Sequence, residues 1–192
     1  MRRLFLAAPL LAALVAGAAA ATVAPARADS YNDTTTGMYV ATPDDFRISR
    51  GIREGYALAL YIDPTGSYPN RVEGQPRLCG LYFKAVPSSE TQQWFNARWK
   101  NEEVLVEARR LLERVMEIKS EETFTLRDEK GGDVVGLEVM GPVHKDSSAV
   151  LMTSLFNTPR GQLQFSCLLR SDQAVKAGFA LRAIRDTIKL PK

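Results

Sequence analysis

Cys79 and Cys167 are the only two cysteines in the chain, and His144 is its one histidine. Cys79 stands in GQPRLCGLYF and Cys167 in QLQFSCLLRS. The two are not in a Cys-x-x-Cys arrangement that would lower one thiol's pKa, so a catalytic redox pair is not indicated. In an oxidising compartment an even pair in a small domain reads as a disulfide, with two separate buried thiols as the rival reading. One histidine with two such cysteines falls short of a catalytic triad or a zinc site, and His144, in GPVHKD, reads as a solvated turn residue. The acid pairs Asp44-Asp45 and Glu102-Glu103 are neighbours in sequence. A strand would point them to opposite faces and a helix would turn them about 100° apart. Glu102 and Glu103 suit the first turn of a helix, where carboxylates meet the positive end of the macrodipole. Gly131-Gly132 lacks the following helix of a phosphate loop, and RDEKGGDVVG lacks the ligand order of a calcium loop. No metal or cofactor is therefore expected, and an enzyme of unrecognised type is the least supported of the functional readings.

The compartment decides what the cysteines mean. Residues 1–28 begin with Arg2 and Arg3, continue in a Leu/Ala/Val run, and end in Ala26-Arg27-Ala28 before Asp29. This is the layout of a cleaved export signal. A retained membrane anchor is the alternative, since the apolar run approaches spanning length; Pro25 and the small residues at the cut favour removal, and the mature chain is not expected to span a membrane. Arg2-Arg3-Leu4-Phe5-Leu6 also resembles a twin-arginine signal, but Ala7 stands where lysine is usual, and the ordinary secretory route is expected. No cysteine lies at the cut, which argues against a lipid anchor. Of the 25 Lys and Arg, Arg2, Arg3 and Arg27 would leave with the signal, leaving a count equal to the 22 Asp and Glu. A formally neutral mature chain without basic runs has no electrostatic footprint for nucleic acid. The expected location is periplasmic.

The pattern beyond residue 28 must position these residues. Residues 29–37 are polar and read as a flexible lead-in to one domain over 38–192. A weak strand near Phe46–Ser49 is followed by alternation over Tyr56, Leu58, Leu60 and Ile62, ending at Asp63-Pro64-Thr65-Gly66. A long loop to Arg77 leads into the Cys79 strand. There Cys79, Leu81 and Phe83 share one face, as Leu163, Phe165, Cys167 and Leu169 do in theirs, so both thiols point to apolar sides. Ser89 with Gln92 has capping-box spacing. Trp94, Phe95 and Trp99 read as core, and Val104, Ala108, Leu111, Leu112 and Val115 recur at helical steps, in one long helix or in two if Asn101 restarts it. Period two returns over Phe124–Leu126, Val135–Val139, Ala149–Phe156 and Gln162–Leu169. Short turns, one of them Lys130–Asp133, imply a four-strand meander. Ser171 and Asp172 offer a cap for a last helix with Val175, Phe179 and Ala183 on one stripe and Leu181, Ile184 and Ile188 on the next.

The expected architecture is α+β: an antiparallel sheet, made of N-terminal strands plus the C-terminal meander, covered by a long central helix and a C-terminal helix. The Cys79 strand must lie beside or near the last strand for the bridge to close. This element order, with the closing helix FALRAIRDTIKL, resembles the PsbP/Mog1-like fold over most of residues 38–190. The resemblance carries no residue motif. It implies an accessory or binding protein without chemistry of its own.

Two non-catalytic functions are expected on this basis. The first is an exported accessory protein that binds another envelope protein or assembly. The second is a carrier or sensor of a small apolar ligand held between sheet and helix. Tyr61 and Tyr82 lie opposite the apolar runs of their strands, and with Tyr68 and Arg71 of the long loop they form the candidate binding surface.

Overall fold

The computed structural model describes residues 28–128 and 131–190. Of the expected signal over residues 1–28, residues 1–27 therefore lie outside the described residues and only Ala28 lies inside. The chain runs through twelve elements: β1 (Ser30–Asn32), β2 (Tyr39–Ala41), β3 (Phe46–Gly51), β4 (Leu58–Pro64), β5 (Cys79–Ala85), α1 (Gln92–Arg98), α2 (Glu102–Leu112), β6 (Ser120–Arg127), β7 (Asp133–Val143), β8 (Asp146–Thr158), β9 (Gly161–Arg170) and α3 (Ala174–Arg185).

Seven strands form one antiparallel sheet in the order β3-β4-β5-β9-β8-β7-β6. The N-terminal strands and the meander are separate along the chain and meet at the β5–β9 seam. Cys79 and Cys167 stand directly opposite each other in that register and are disulfide-bonded. Pleating then sorts the side chains. One face of the sheet carries Leu60, Ile62, Leu81, Phe165 and Leu169, packed under Ala177, Leu181 and Ile184 of α3 and under Met38 and Val40 of the β1–β2 hairpin. On the other face, Trp99 and Met116 with Leu105, Ala108 and Leu112 of α2 cover Leu137 and Val139 of β7 and Leu151 and Leu155 of β8.

Several expectations change. Residues 29–37 are not a loose lead-in: β1 pairs with β2, and the carboxylate of buried Asp33 accepts from the amide and hydroxyl of Thr36 in the connecting turn. The central helical segment is two helices. Thr91, not Ser89, caps α1, its hydroxyl accepting from Trp94 N–H; Asn101 Oδ1 accepts from Glu103 N–H and starts α2. An uncapped break would leave the first N–H groups of α2 without partners, and Asn is among the best residues for that place. Trp99 is core as expected, but Trp94 is 40% exposed on α1, a short helix lying over the start of β7 and the end of β8. At α3 neither Ser171 nor Asp172 caps; Asp172 is held by Arg170, and Gln173 stands at the N-cap without a side-chain capping bond, its Oε1 accepting instead from Asn70 N–H at 2.8 Å. Of the two expected α3 stripes, only that of Leu181, Ile184 and Ile188 is buried, while Val175 and Phe179 face solvent at 76% and 69% exposure. Strand β4 is buried on both faces over most of its length, and Asp63, expected at a turn, is 1% exposed within it.

Candidate protein interface

The helices α1 and α2 cover only the β7–β8 half of their face. On this face no helix lies over β3, β4 and β5 among the described residues, and tyrosines cover it instead. Tyr61 opposes Gly80 across the β4–β5 ladder, and Ala59 opposes Tyr82. Small residues opposite the rings let them lie down on the sheet. A Cβ built on Gly51 would stand 2.1 Å from the Tyr61 ring, and one on Gly80 would stand 2.1 Å from the Tyr82 hydroxyl. Glycine weakens a strand unless something packs closely against its backbone, and here the two tyrosine rings do so.

Tyr61 and Tyr82 meet edge to face with centroids 6.4 Å apart, and Tyr56 joins Tyr82 at 5.6 Å. The Arg53 guanidinium lies 4.5 Å from the Tyr56 centroid and 4.1 Å from that of Tyr82, and Arg77 stacks 5.0 Å from Tyr61. Such cation–ring contacts contribute about 0.5–1 kcal/mol each when exposed and more when desolvated. Beside them Asp63 anchors the loop after β4: Arg71 Nε donates to Oδ1 at 3.0 Å, Arg77 Nη1 to Oδ2 at 2.9 Å, and Leu78 N–H to Oδ1 at 2.9 Å. A buried carboxylate held this way is satisfied by its partners, and it fixes both arginines at the margin of the tyrosine layer.

Three of the four expected surface residues, Tyr61, Tyr82 and Arg71, are thus linked on one face through Arg77 and Asp63. Tyr68 is not with them; Lys176 of α3 lies 5.0 Å from its ring centroid. Sequence reasoning misses Arg53, Arg77, Asp63 and Tyr56. Alternation groups Tyr56 with the apolar run of β4, but β4 begins only at Leu58, and the turn before it sends the ring to the opposite face. Gly80, two residues before Tyr82, is the available signal. His144 is an exposed turn residue as expected, its ring Nε2 within 2.7 Å of the Glu113 carbonyl at the end of α2. Among the described residues no group of three or more His, Cys, Asp or Glu could hold a metal ion, and no helix is long and apolar enough to cross a membrane.

Burial pushes the Tyr82 phenol above its ordinary range, and the Arg53 guanidinium pulls it only partly back. A phenol raised in the folded state contributes stability below its unfolded pKa, and that contribution is lost as pH rises through the folded pKa. The expected result in an alkaline ultraviolet titration is that one of the six tyrosines ionises after the ordinary phenols and disappears from the curve in Tyr82→Phe. The same variant is expected to flatten the loss of stability above pH ~10. A late step that survives in Tyr82→Phe would refute the assignment.

No protein-family model matches the sequence, and no curated protein matches it. Among solved structures, the chain is similar to the solution structure of cyanobacterial PsbP (CyanoP) from Synechocystis sp. PCC 6803, at 14% identity and a TM-score of 0.50, over 88% of this chain and 95% of that one. At that identity the likeness speaks for architecture alone, and with the seven-strand order and the covering helices it gives this chain a PsbP-like α+β fold.

Proposed function

We propose that the protein is an exported, non-catalytic accessory protein that docks on another envelope protein or assembly through the face of β3, β4 and β5 that α1 and α2 leave open. The observation that carries this reading is the layer of Tyr56, Tyr61 and Tyr82 interleaved with Arg53 and Arg77. Tyrosine and arginine are the residues most enriched where protein interfaces concentrate their binding energy, because both bring large area with few degrees of freedom to freeze. Arg53, and Arg47 of β3 directly opposite Asp63 in the strand register, have no ion-pair partner among the described residues. The one acid buried beside the layer is already neutralised by Arg71 and Arg77. The complementary partner surface is therefore acidic and partly apolar.

Export is supported by the N-terminal sequence and by the seating of the first residue after the expected cut. That residue, Asp29, is bound into the fold: its carbonyl accepts from Thr42 N–H at 2.8 Å and its carboxylate from Ile48 N–H at 2.6 Å. The experiment is native mass spectrometry on tagged protein taken gently from its exporting host, with the intact mass read after denaturation. The expected result is a protein-sized increment that is lost in Tyr61→Ala/Tyr82→Ala and in Arg53→Glu, with the far-ultraviolet circular dichroism unchanged. An increment that survives all of these substitutions, or its absence in the parent protein, would overturn the reading.

A further inference from the structure

Among the described residues the seven-strand sheet ends at β3 on one side and at β6 on the other. An end strand turns a row of N–H and C=O groups outward, which is a template for another chain unless something covers it. The β3 end is covered by the chain before it, with Asp29 Oδ2 accepting from Ile48 N–H at 2.6 Å and Thr42 Oγ1 donating to the Phe46 carbonyl at 3.3 Å. The β6 end is not. All eight residues of β6, SEETFTLR, pair with β7 and with no other strand, and they include no proline, glycine or lysine to blunt the edge.

The ladder decides which groups face outward. Asp128 N–H donates to the Gly132 carbonyl at 2.8 Å, and bonded and non-bonded pairs alternate along an antiparallel ladder, so Glu122, Phe124 and Leu126 turn their backbone groups to β7. Val135 agrees: it stands opposite Thr125, and its N–H points away from β6, to Asn96 Oδ1 at 3.0 Å. The backbone groups of Glu121, Thr123, Thr125 and Arg127 therefore point outward, and they have no backbone partner among the described residues. A second copy of β6 meets them antiparallel when a two-fold axis relates the copies. Only outward groups can bond, so the possible registers differ by steps of two residues. With Phe124 facing itself across the axis, Glu121 faces Arg127 of the second copy and Thr123 faces Thr125 of the second copy. Aromatic, threonine and opposite-charge pairs are all favourable cross-strand neighbours. The two adjacent registers oppose like charges: with Thr123 on the axis Lys119 faces Arg127, and with Thr125 on the axis Glu122 faces Asp128. Glu121 is already held by Arg109 at 2.7 and 2.8 Å, and Arg127 lies 3.2 Å from Asp133. The charges therefore select the register, and the backbone bonds with Phe124 supply the affinity.

We propose that β6 is a homodimerisation edge, at which two copies pair antiparallel over residues 121–127 about a two-fold axis at Phe124 and join their sheets into one. The edge lies at the end of the sheet away from the tyrosine layer and asks nothing of Tyr61, Tyr82 or Arg53, so it does not rest on the docking of another protein there.

The test is sedimentation velocity on the whole mature protein over about 1–100 μM. The expected result is a reversible monomer–dimer equilibrium in the micromolar range, as suits a small interface. Thr125→Pro removes an outward N–H and leaves the β6–β7 bonds in place, since an edge strand tolerates proline where its nitrogen faces solvent. It is expected to weaken dimerisation by about tenfold or more. Arg127→Glu tests the same edge without risk to the fold, because that side chain is 75% exposed. It sets a like charge against Glu121 twice in the dimer and is expected to weaken it by about threefold or more. Cross-linking reads the register: under mild oxidation a mixture of Thr123→Cys and Thr125→Cys proteins is expected to form an intermolecular disulfide that neither variant forms alone. A monomer throughout the range, a dimer that Thr125→Pro and Arg127→Glu both leave intact, or cross-linking as efficient in a single variant as in the mixture would each overturn the proposal.

Discussion

Removing the Cys79–Cys167 bridge, by reduction or as Cys79→Ala/Cys167→Ala, is expected to lower the unfolding free energy by about 4–5 kcal/mol on the chain-entropy account. The two residues are 88 apart, and the intervening chain holds α1, α2 and the strands β6, β7 and β8. The bridge therefore forbids the unfolded chain the states in which the N-terminal strands and the meander drift apart. Its position sharpens the effect. Among the described residues the β5–β9 ladder is the only strand pairing that joins the two parts of the sheet. Both sulfurs are buried in the α3-covered core, so the alanine pair adds a small packing loss. Against a typical total of about 5–15 kcal/mol, this loss leaves a marginal fold. Urea unfolding of the oxidised, reduced and doubly substituted proteins measures it, and a change below about 1 kcal/mol would show that the bridge hardly restricts the unfolded ensemble. Intact mass adds a direct check, since the oxidised chain is about two daltons lighter than the reduced one.

Glu138→Ala is expected to cost about 3–5 kcal/mol, the usual loss when one member of a buried ion pair is removed. Glu138 sits in mid-β7 with its side chain 1% exposed and serves two arginines of α3: Arg182 Nε at 2.7 Å and Arg185 Nη1 at 2.6 Å, with Ser154 Oγ donating at 2.8 Å. Arg185 is itself only 6% exposed and lies 3.9 Å from the Phe124 centroid. Without the carboxylate its guanidinium keeps Asp186 and the distant Glu122 oxygen, 3.8 Å away, and it loses its buried counter-charge. The cost is expected to arise from that stranded charge and not from the cavity alone. Glu138→Met/Arg185→Met, which removes both charges and keeps the volume, should therefore be markedly less harmful than Glu138→Ala. Chemical denaturation of the single and double variants decides it; a double variant as unstable as the single one would place the cost in packing. Functionally, this network clamps α3 to the meander on the face opposite the tyrosine layer, so the loss is expected in stability and not in partner binding.

Both effects arise from residues whose types are plain in the sequence, yet only one is legible there. Cys79 and Cys167 each fall in phase with their apolar neighbours, and strand period two fixes which residues share a face whatever the partner strand is. Glu138 also falls in phase, between Leu137 and Val139, but alternation assigns it to the face opposite those two and so to solvent. It is buried because α3, some forty residues further on, returns over that face with two arginines. Asp63 is the same case, its burial decided by Arg71 and Arg77 from the loop after β4. Long-range ion pairing has no local period, which is why neither can be read from the sequence.

The candidate interface divides in the same way. Tyr61 and Tyr82 are identifiable because each opposes the apolar run of its own strand. The sequence by itself determined the order of strands and helices from β3 onward, the faces of the cysteines, the break offered by Asn101 and the α+β class, since these rest on period, caps and turn residues within a few positions of one another. Only the tertiary structure decided the register in which β5 meets β9, that α2 stops short of the N-terminal strands, and that tyrosines and arginines cover what the helices leave open. Those outcomes depend on which distant surfaces meet. A side chain's face is set locally, but what covers that face is set by the packing of the whole chain.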